Sequence, residues 1–261
     1  MVYSPAFKDL HQTFFRLPVI LYLATSDLKA RYRRSILGPF WLTLSTLLGA
    51  AGLGFLWSEL MAVPSREFVP ALTAGLIIWQ FISSAFNEST TVFVKQAVII
   101  RNVVLPLSMF PLQLLFKQLI NLAHTAPVFI IIALAFDMSF TSLVWMAVPG
   151  VILVSLNLLW MSLLIGMLGA RFRDLEFLVA SIMPILMLLS PVFYRPKYLP
   201  FNEIWVWMNP FSHFIEIVRF PLLGELAPAF VVQTNLVMLS VGTIFTLWFF
   251  NYKYQRIAFW L

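Results

Sequence analysis

The sequence contains no cysteine, which excludes a disulfide framework, a thiolate metal site and a thiol nucleophile. Charge is scarce: Asp, Glu, Lys and Arg make up 11% of the 261 residues, against about 25% in an average soluble domain. None of the ten glycines precedes a lysine, so there is no phosphate-cradling loop of the G-x-x-x-x-G-K-[ST] kind. No H-E-x-x-H occurs, and the histidines at 11, 124 and 213 stand far apart. No close acidic pair within an apolar run suggests a proton relay; Asp174 and Glu176 lie beside Arg171 and Arg173, where local pairing is the plain reading. The usual equipment of a hydrolase, a metalloenzyme or an ATPase is missing.

What the sequence has in excess is apolar surface, at 61% of residues. A soluble chain of this size has too little interior to hide it. Apolar runs near the ~20 residues that cross hydrocarbon recur along the whole length, and the alternating ten-residue segments of a β-barrel are absent. The expected fold class is therefore an all-α integral membrane protein. Six transmembrane helices are predicted, at 36–61, 69–90, 110–136, 142–169, 176–193 and 229–250. No domain boundary or internal repeat is visible, so residues 1–261 read as a single transmembrane domain. Its parts are a cytoplasmic interfacial helix (1–34), spans one to five (35–193), short external helices (194–228), and span six with a tail (229–261).

Residues 1–34 lack the compact apolar core and cleavage site of a signal peptide. Phe7, Leu10, Phe14 and Leu17 recur at helical spacing, with Lys8, His11 and Arg16 elsewhere on the wheel, as in an amphipathic helix lying in the membrane surface. Twelve Lys and Arg residues fall on the side of the N-terminal region and four on the other. That asymmetry puts both termini in the cytoplasm, as an even number of spans requires. The net charge of +6 is gathered at one membrane face, so no nucleic-acid partner is expected. Between spans five and six, prolines at 196, 200, 210 and 221 cut an aromatic segment into pieces too short to cross. It reads as two short external helices, re-entrant or interfacial, with rings suited to the headgroup layer.

Polar residues inside spans need partners. Gln113, Lys117, Asn121 and His124 share one face of span three and are expected to meet another helix or a water-filled path. Small residues four apart (Ser162, Gly166, Ala170; Ser45, Gly49; Ala50, Gly54) allow close helix approach, within this chain or against a second copy.

Several motifs stand in a telling order. Asp27-Leu28-Lys29-Ala30-Arg31-Tyr32-Arg33-Arg34-Ser35-Ile36-Leu37-Gly38-Pro39-Phe40-Trp41 leads directly into span one. Arg101-Asn102 to Leu105-Pro106, Ala170-Arg171-Phe172-Arg173-Asp174-Leu175, Ser190-Pro191-Val192-Phe193-Tyr194 and Asn209-Pro210-Phe211 follow. Over essentially its full length the chain resembles the permease subunit of bacterial ABC exporters for lipid-linked polysaccharides, of O-antigen, capsule or teichoic-acid type. That resemblance implies a second copy of the chain around a central path, and two separate ATPase subunits that bind ATP and Mg. It also implies a polyprenyl-pyrophosphate-linked glycan as substrate and the bacterial inner membrane as location. The chain itself is then no enzyme and carries no cofactor.

On this reading Lys29, Arg31, Arg33 and Arg34 meet the anionic headgroup of the lipid carrier, since a guanidinium can donate two hydrogen bonds to pyrophosphate. Aromatic rings stack on sugar faces, and the candidates for the path are Trp79, Phe86, Tyr194, Tyr198, Trp205 and Trp207. Val98, Ile99, Ile100, Arg101 and Asn102, within the loop from Lys95 to Pro106, resemble the helix that couples to the ATPase. Two rival readings share much of this pattern: a small-molecule or drug ABC exporter permease, and a membrane-embedded glycan-transferring enzyme.

Overall fold

A computed structural model describes residues 5–60, 62–198 and 203–261; Met61, the last residue of the first predicted span, lies outside them. The described residues form helices and connections with no strand. Helices α1 (Pro5–Phe14) and α2 (Leu17–Arg31) precede the first long helix, α3 (Phe40–Leu60). Then come α4 (Ser65–Ser89), the six-residue α5 (Ala97–Asn102), α6 (Met109–Ala135), α7 (Ala147–Arg171) and α8 (Leu175–Leu189). The short α9 (Ile204–Trp207), α10 (Pro210–Leu222) and the long α11 (Ala229–Trp260) complete the chain.

Among the described residues, five helices are long and apolar enough to cross a membrane: α3, α4, α6, α7 with the 3-10 turn before it, and α11. The predicted fifth span, 176–193, is α8, whose 15 residues rise only about 22 Å, short of the ~30 Å hydrocarbon layer. Chain connectivity sorts the helix ends into two groups. The amide of Ala6 donates to Asn251 and the Tyr254 hydroxyl to Asp9, so α1 and the last part of α11 lie at one end of the bundle. Arg66, Asp137, Arg195 and Glu225 gather at the other.

α1 is amphipathic in the predicted sense, and its orientation has a specific cause. Phe7, Leu10 and Phe14 face outward, whereas the small and polar Ala6, Asp9 and Thr13 are buried against the protein. Buried Asp9 accepts from the amides of Leu107 (2.6 Å) and Ser108 (2.9 Å), just before α6 begins. A carboxylate from another helix thus satisfies amides that α6 leaves open at its N-terminal end.

α4 is the central helix, in contact with α3, α6, α7, α8 and α10. Its fit to α7 depends on the small-residue stripe. Ser89 donates to Ser162 at 2.8 Å, and a Cβ added at Gly169 would lie 1.9 Å from the carbonyl oxygen of Thr90. The Ser162, Gly166 and Ala170 stripe is therefore spent within this chain. On α3, Ala50 is buried and Gly54 meets Val69 of α4, while Gly49 stays open.

The segment after α8 enters the bundle. Asn209 caps α10 by accepting from the amide of Phe211 at 3.0 Å, Pro210 occupies its first turn, and Gly224 ends it at φ +77°, which an L side chain rarely adopts. Residues 211–219 are buried without interruption against α4, α7 and α11. This piece is thus enclosed by other helices of the bundle instead of lying exposed on it.

Candidate functional site

The basic run occupies the last turn of α2 and the connection to α3. Basic side chains there complement the negative end of the helix dipole. The connection turns through positive φ at Arg34 (69°) and Gly38 (54°), and the Gly38 amide donates to the Ser35 hydroxyl at 3.0 Å. Lys29, Arg31, Arg33 and Arg34 are all exposed. Lys29, Arg33 and Arg34 make no ion pair among the described residues, whereas Arg31 donates to Glu88 at 3.2 Å.

Glu88 is the functional candidate that sequence reasoning missed. It sits in the last turn of α4 and receives Lys117 on one oxygen, and Arg31 and Gln118 (3.1 Å) on the other. Asn121 in turn donates to Gln118 at 3.0 Å, and Gln113 donates to Asp27 of α2 at 2.7 Å. The polar face of α6 therefore meets α2 and α4, and the hydroxyl of Thr43 on α3 reaches the carbonyl of His124 at 2.7 Å. These contacts are helix-to-helix ties. A lone acidic residue in span two against a lysine in span three was the available signal.

Beyond α4 the chain turns through a 3-10 step into α5, which carries Val98 (74% exposed), exposed Ile99, Arg101 and Asn102, and half-buried Ile100. Ile100 packs beneath the helix against the core, while Val98, Ile99, Val103 and Val104 form a bare apolar strip beside Arg101. At the same end Arg173 donates to the carbonyls of Trp260 and Leu261.

The predicted path aromatics separate into two groups. Trp79 (4% exposed) and half-buried Phe86 both meet Phe211 of α10 edge-on, at ring separations of 5.9 and 5.1 Å. Within this chain the Trp79 ring lies in the core, because α4 is enclosed by other helices. Tyr194, Tyr198 and Trp207 are half-buried and Trp205 is 69% exposed. Trp207 donates to Glu203 at 3.2 Å and packs on Phe230 and His213.

A matching family pattern, ABC-2 type transporter, covers residues 18–223. The chain belongs to that family. Its members are membrane subunits of ABC transporters, so this is a transport subunit, and the ATPase is a separate protein. Among curated relatives, an O-antigen export system permease protein RfbA from Klebsiella pneumoniae is 28% identical over 202 residues, covering 76% of this chain and 77% of its own. Another RfbA from that organism is 27% identical over 203 residues, with 76% and 77% covered. One from Myxococcus xanthus is 24% identical over 179 residues, with 67% and 68% covered.

This ABC-2 chain closes its far end with charge as well as with α10. Arg195 forks onto Glu225 (Nη1 to Oε1, 2.9 Å), with Lys197 3.6 Å away. The hydrogen bond from Arg195 is the main cause that holds the Glu225 carboxyl below its usual range, against the opposing effect of burial. A carboxyl depressed in the folded state contributes stability above its unfolded pKa and loses it as pH falls through the depressed value. The stability difference between the native protein and Glu225→Gln is thus expected to be full at pH 7, to start falling below about pH 4.3, and to vanish only once pH has passed below the depressed value. Limited proteolysis of residues 223–229 across that range measures it.

Proposed function

We propose that the chain is the permease subunit of an ATP-driven exporter that moves a polyprenyl-pyrophosphate-linked polysaccharide, of O-antigen or capsule type, across the bacterial inner (cytoplasmic) membrane. The observation that carries this reading is the exposed basic run: Lys29, Arg33 and Arg34 without ion-pair partners among the described residues, beside Arg31, at the point where the chain turns into its first span. Anionic headgroups are the complement such a surface calls for. The names of the relatives point to the same cargo.

The reading includes six crossings, with α8 lengthened by the Ser190–Val192 turn, one transmembrane domain, and both termini cytoplasmic as the charge asymmetry requires. Two copies pair, for which the outward apolar faces of α3 and α8 are suited. An ATPase dimer binding ATP and Mg docks on the apolar strip of α5. The headgroup is captured by the basic run, and the polymer follows along the paired copies past Tyr194, Tyr198, Trp205 and Trp207.

A drug exporter would share the helices but has no use for an exposed cationic run. The test is ATP hydrolysis by the assembled permease–ATPase complex in lipid nanodiscs. Lipid-linked glycan is expected to stimulate it and small hydrophobic drugs are not; the reverse pattern overturns the reading.

A further inference from the structure

Arg31 differs from its basic neighbours in already holding an anion. The Glu88 carboxylate is fixed from two sides. On α6, Lys117 (side chain 13% exposed) and Gln118 bind it from within the helix packing. On α2, Arg31 (side chain 50% exposed) reaches it through Nη2 alone, at 3.2 Å. The two attachments are unequal. Arg31 can leave while Lys117 still neutralises Glu88, so opening this contact strands no buried charge.

The neighbouring polar cavity, bordered by Arg31, Gln80, Ser84, Glu88 and Gln118, offers about 50 Å³, room for only a few waters. An anion reaching Arg31 therefore meets it from the exposed side. There it lies close to Glu88, and two negative groups on one guanidinium repel.

We propose that Glu88 is a built-in competitor for Arg31, which weakens the hold of the basic run on the phosphate group of the cargo and so speeds its release. The proposal rests on the reading of that run as a headgroup site. It makes Glu88 a residue that tunes affinity without touching the glycan. Tight capture at the basic run alone would delay passage; an internal carboxylate that rebinds Arg31 helps the phosphate to leave.

The experiment uses the permease–ATPase complex in nanodiscs, with polyprenyl pyrophosphate and inorganic pyrophosphate as separate probes. Glu88→Gln keeps the shape and removes the charge. It is expected to bind polyprenyl pyrophosphate about two- to fivefold more tightly, the range of a half-exposed ion pair, through slower dissociation. Glu88→Asp, which retains a charge for Lys117 but draws back from Arg31, is expected to shift affinity the same way. Tightening for both probes supports competition for phosphate as such, and tightening for the lipid alone supports competition at the membrane surface. If the native complex binds the lipid probe and neither variant changes its dissociation constant, the competitor role is overturned and the headgroup site stands. If the native complex binds neither probe, the headgroup reading itself falls, and the proposal with it.

Discussion

Replacing Arg31 and Arg34 together with glutamine is expected to abolish export while leaving the protein inserted in the membrane. Each guanidinium contributes charge-assisted hydrogen bonds to a phosphate, worth about 1.5–3 kcal/mol apiece. Losing both lowers headgroup occupancy by about 10²–10⁴-fold, taking a factor of ten per 1.4 kcal/mol. Insertion survives for two reasons. Glu88 keeps Lys117 and Gln118 as partners once Arg31 is gone. Most of the cations that orient the chain also remain on the same side, including Lys29 and Arg33 in the run itself. Surface glycan in cells carrying the variant reads export, and protease protection of tagged termini reads insertion. Normal export by the inserted double variant would remove the headgroup role from the basic run.

Arg219→Met is expected to be the most damaging single substitution for folding. Arg219 and Glu216 are 1% and 0% exposed, one turn apart on the enclosed α10, and Arg219 also donates to the carbonyl of Tyr194 at 3.1 Å. Gly75 on α4 makes room for this guanidinium: an added Cβ there would come 3.2 Å from Nη1 of Arg219 and 2.6 Å from the carbonyl oxygen of Val192. Removing one member of a buried pair leaves the other charge uncompensated, at a cost of about 3–5 kcal/mol. Removing both, as in Glu216→Leu with Arg219→Met, is expected to recover most of that loss, since burial of the charges then no longer opposes folding. Thermal unfolding of the purified protein in detergent measures both variants. Equal stability of Arg219→Met and the native protein would contradict the enclosure of this pair.

The same pair illustrates how far the chain was legible residue by residue. Arg219 looks like one more external cation in a proline-cut, aromatic segment, and nothing in that segment names α4, α7 and α11 as the helices that enclose α10. The N-terminal helix was legible in its apolar spacing, yet the role of Asp9 was not, because the amides it serves lie 98 and 99 residues away. Trp79 is a similar case. Its burial follows from the helices that crowd around α4 and not from any neighbour in sequence. Glu88 escaped notice because its partners, Lys117 and Arg31, lie 29 and 57 positions off.

Sequence by itself determined that this protein is a bundle of membrane helices with a cationic end, an outward-facing apolar N-terminal helix and no nucleotide loop of its own. Hydropathy, charge bias and loop chemistry are local properties, written in consecutive residues. The tertiary structure alone decided which charges neutralise each other, that α10 is enclosed, and that the small-residue stripe of α7 is occupied by the end of α4 and the turn that follows it. Those outcomes depend on how closely separate helices approach, and electrostatic and packing energies change steeply over the last few ångströms.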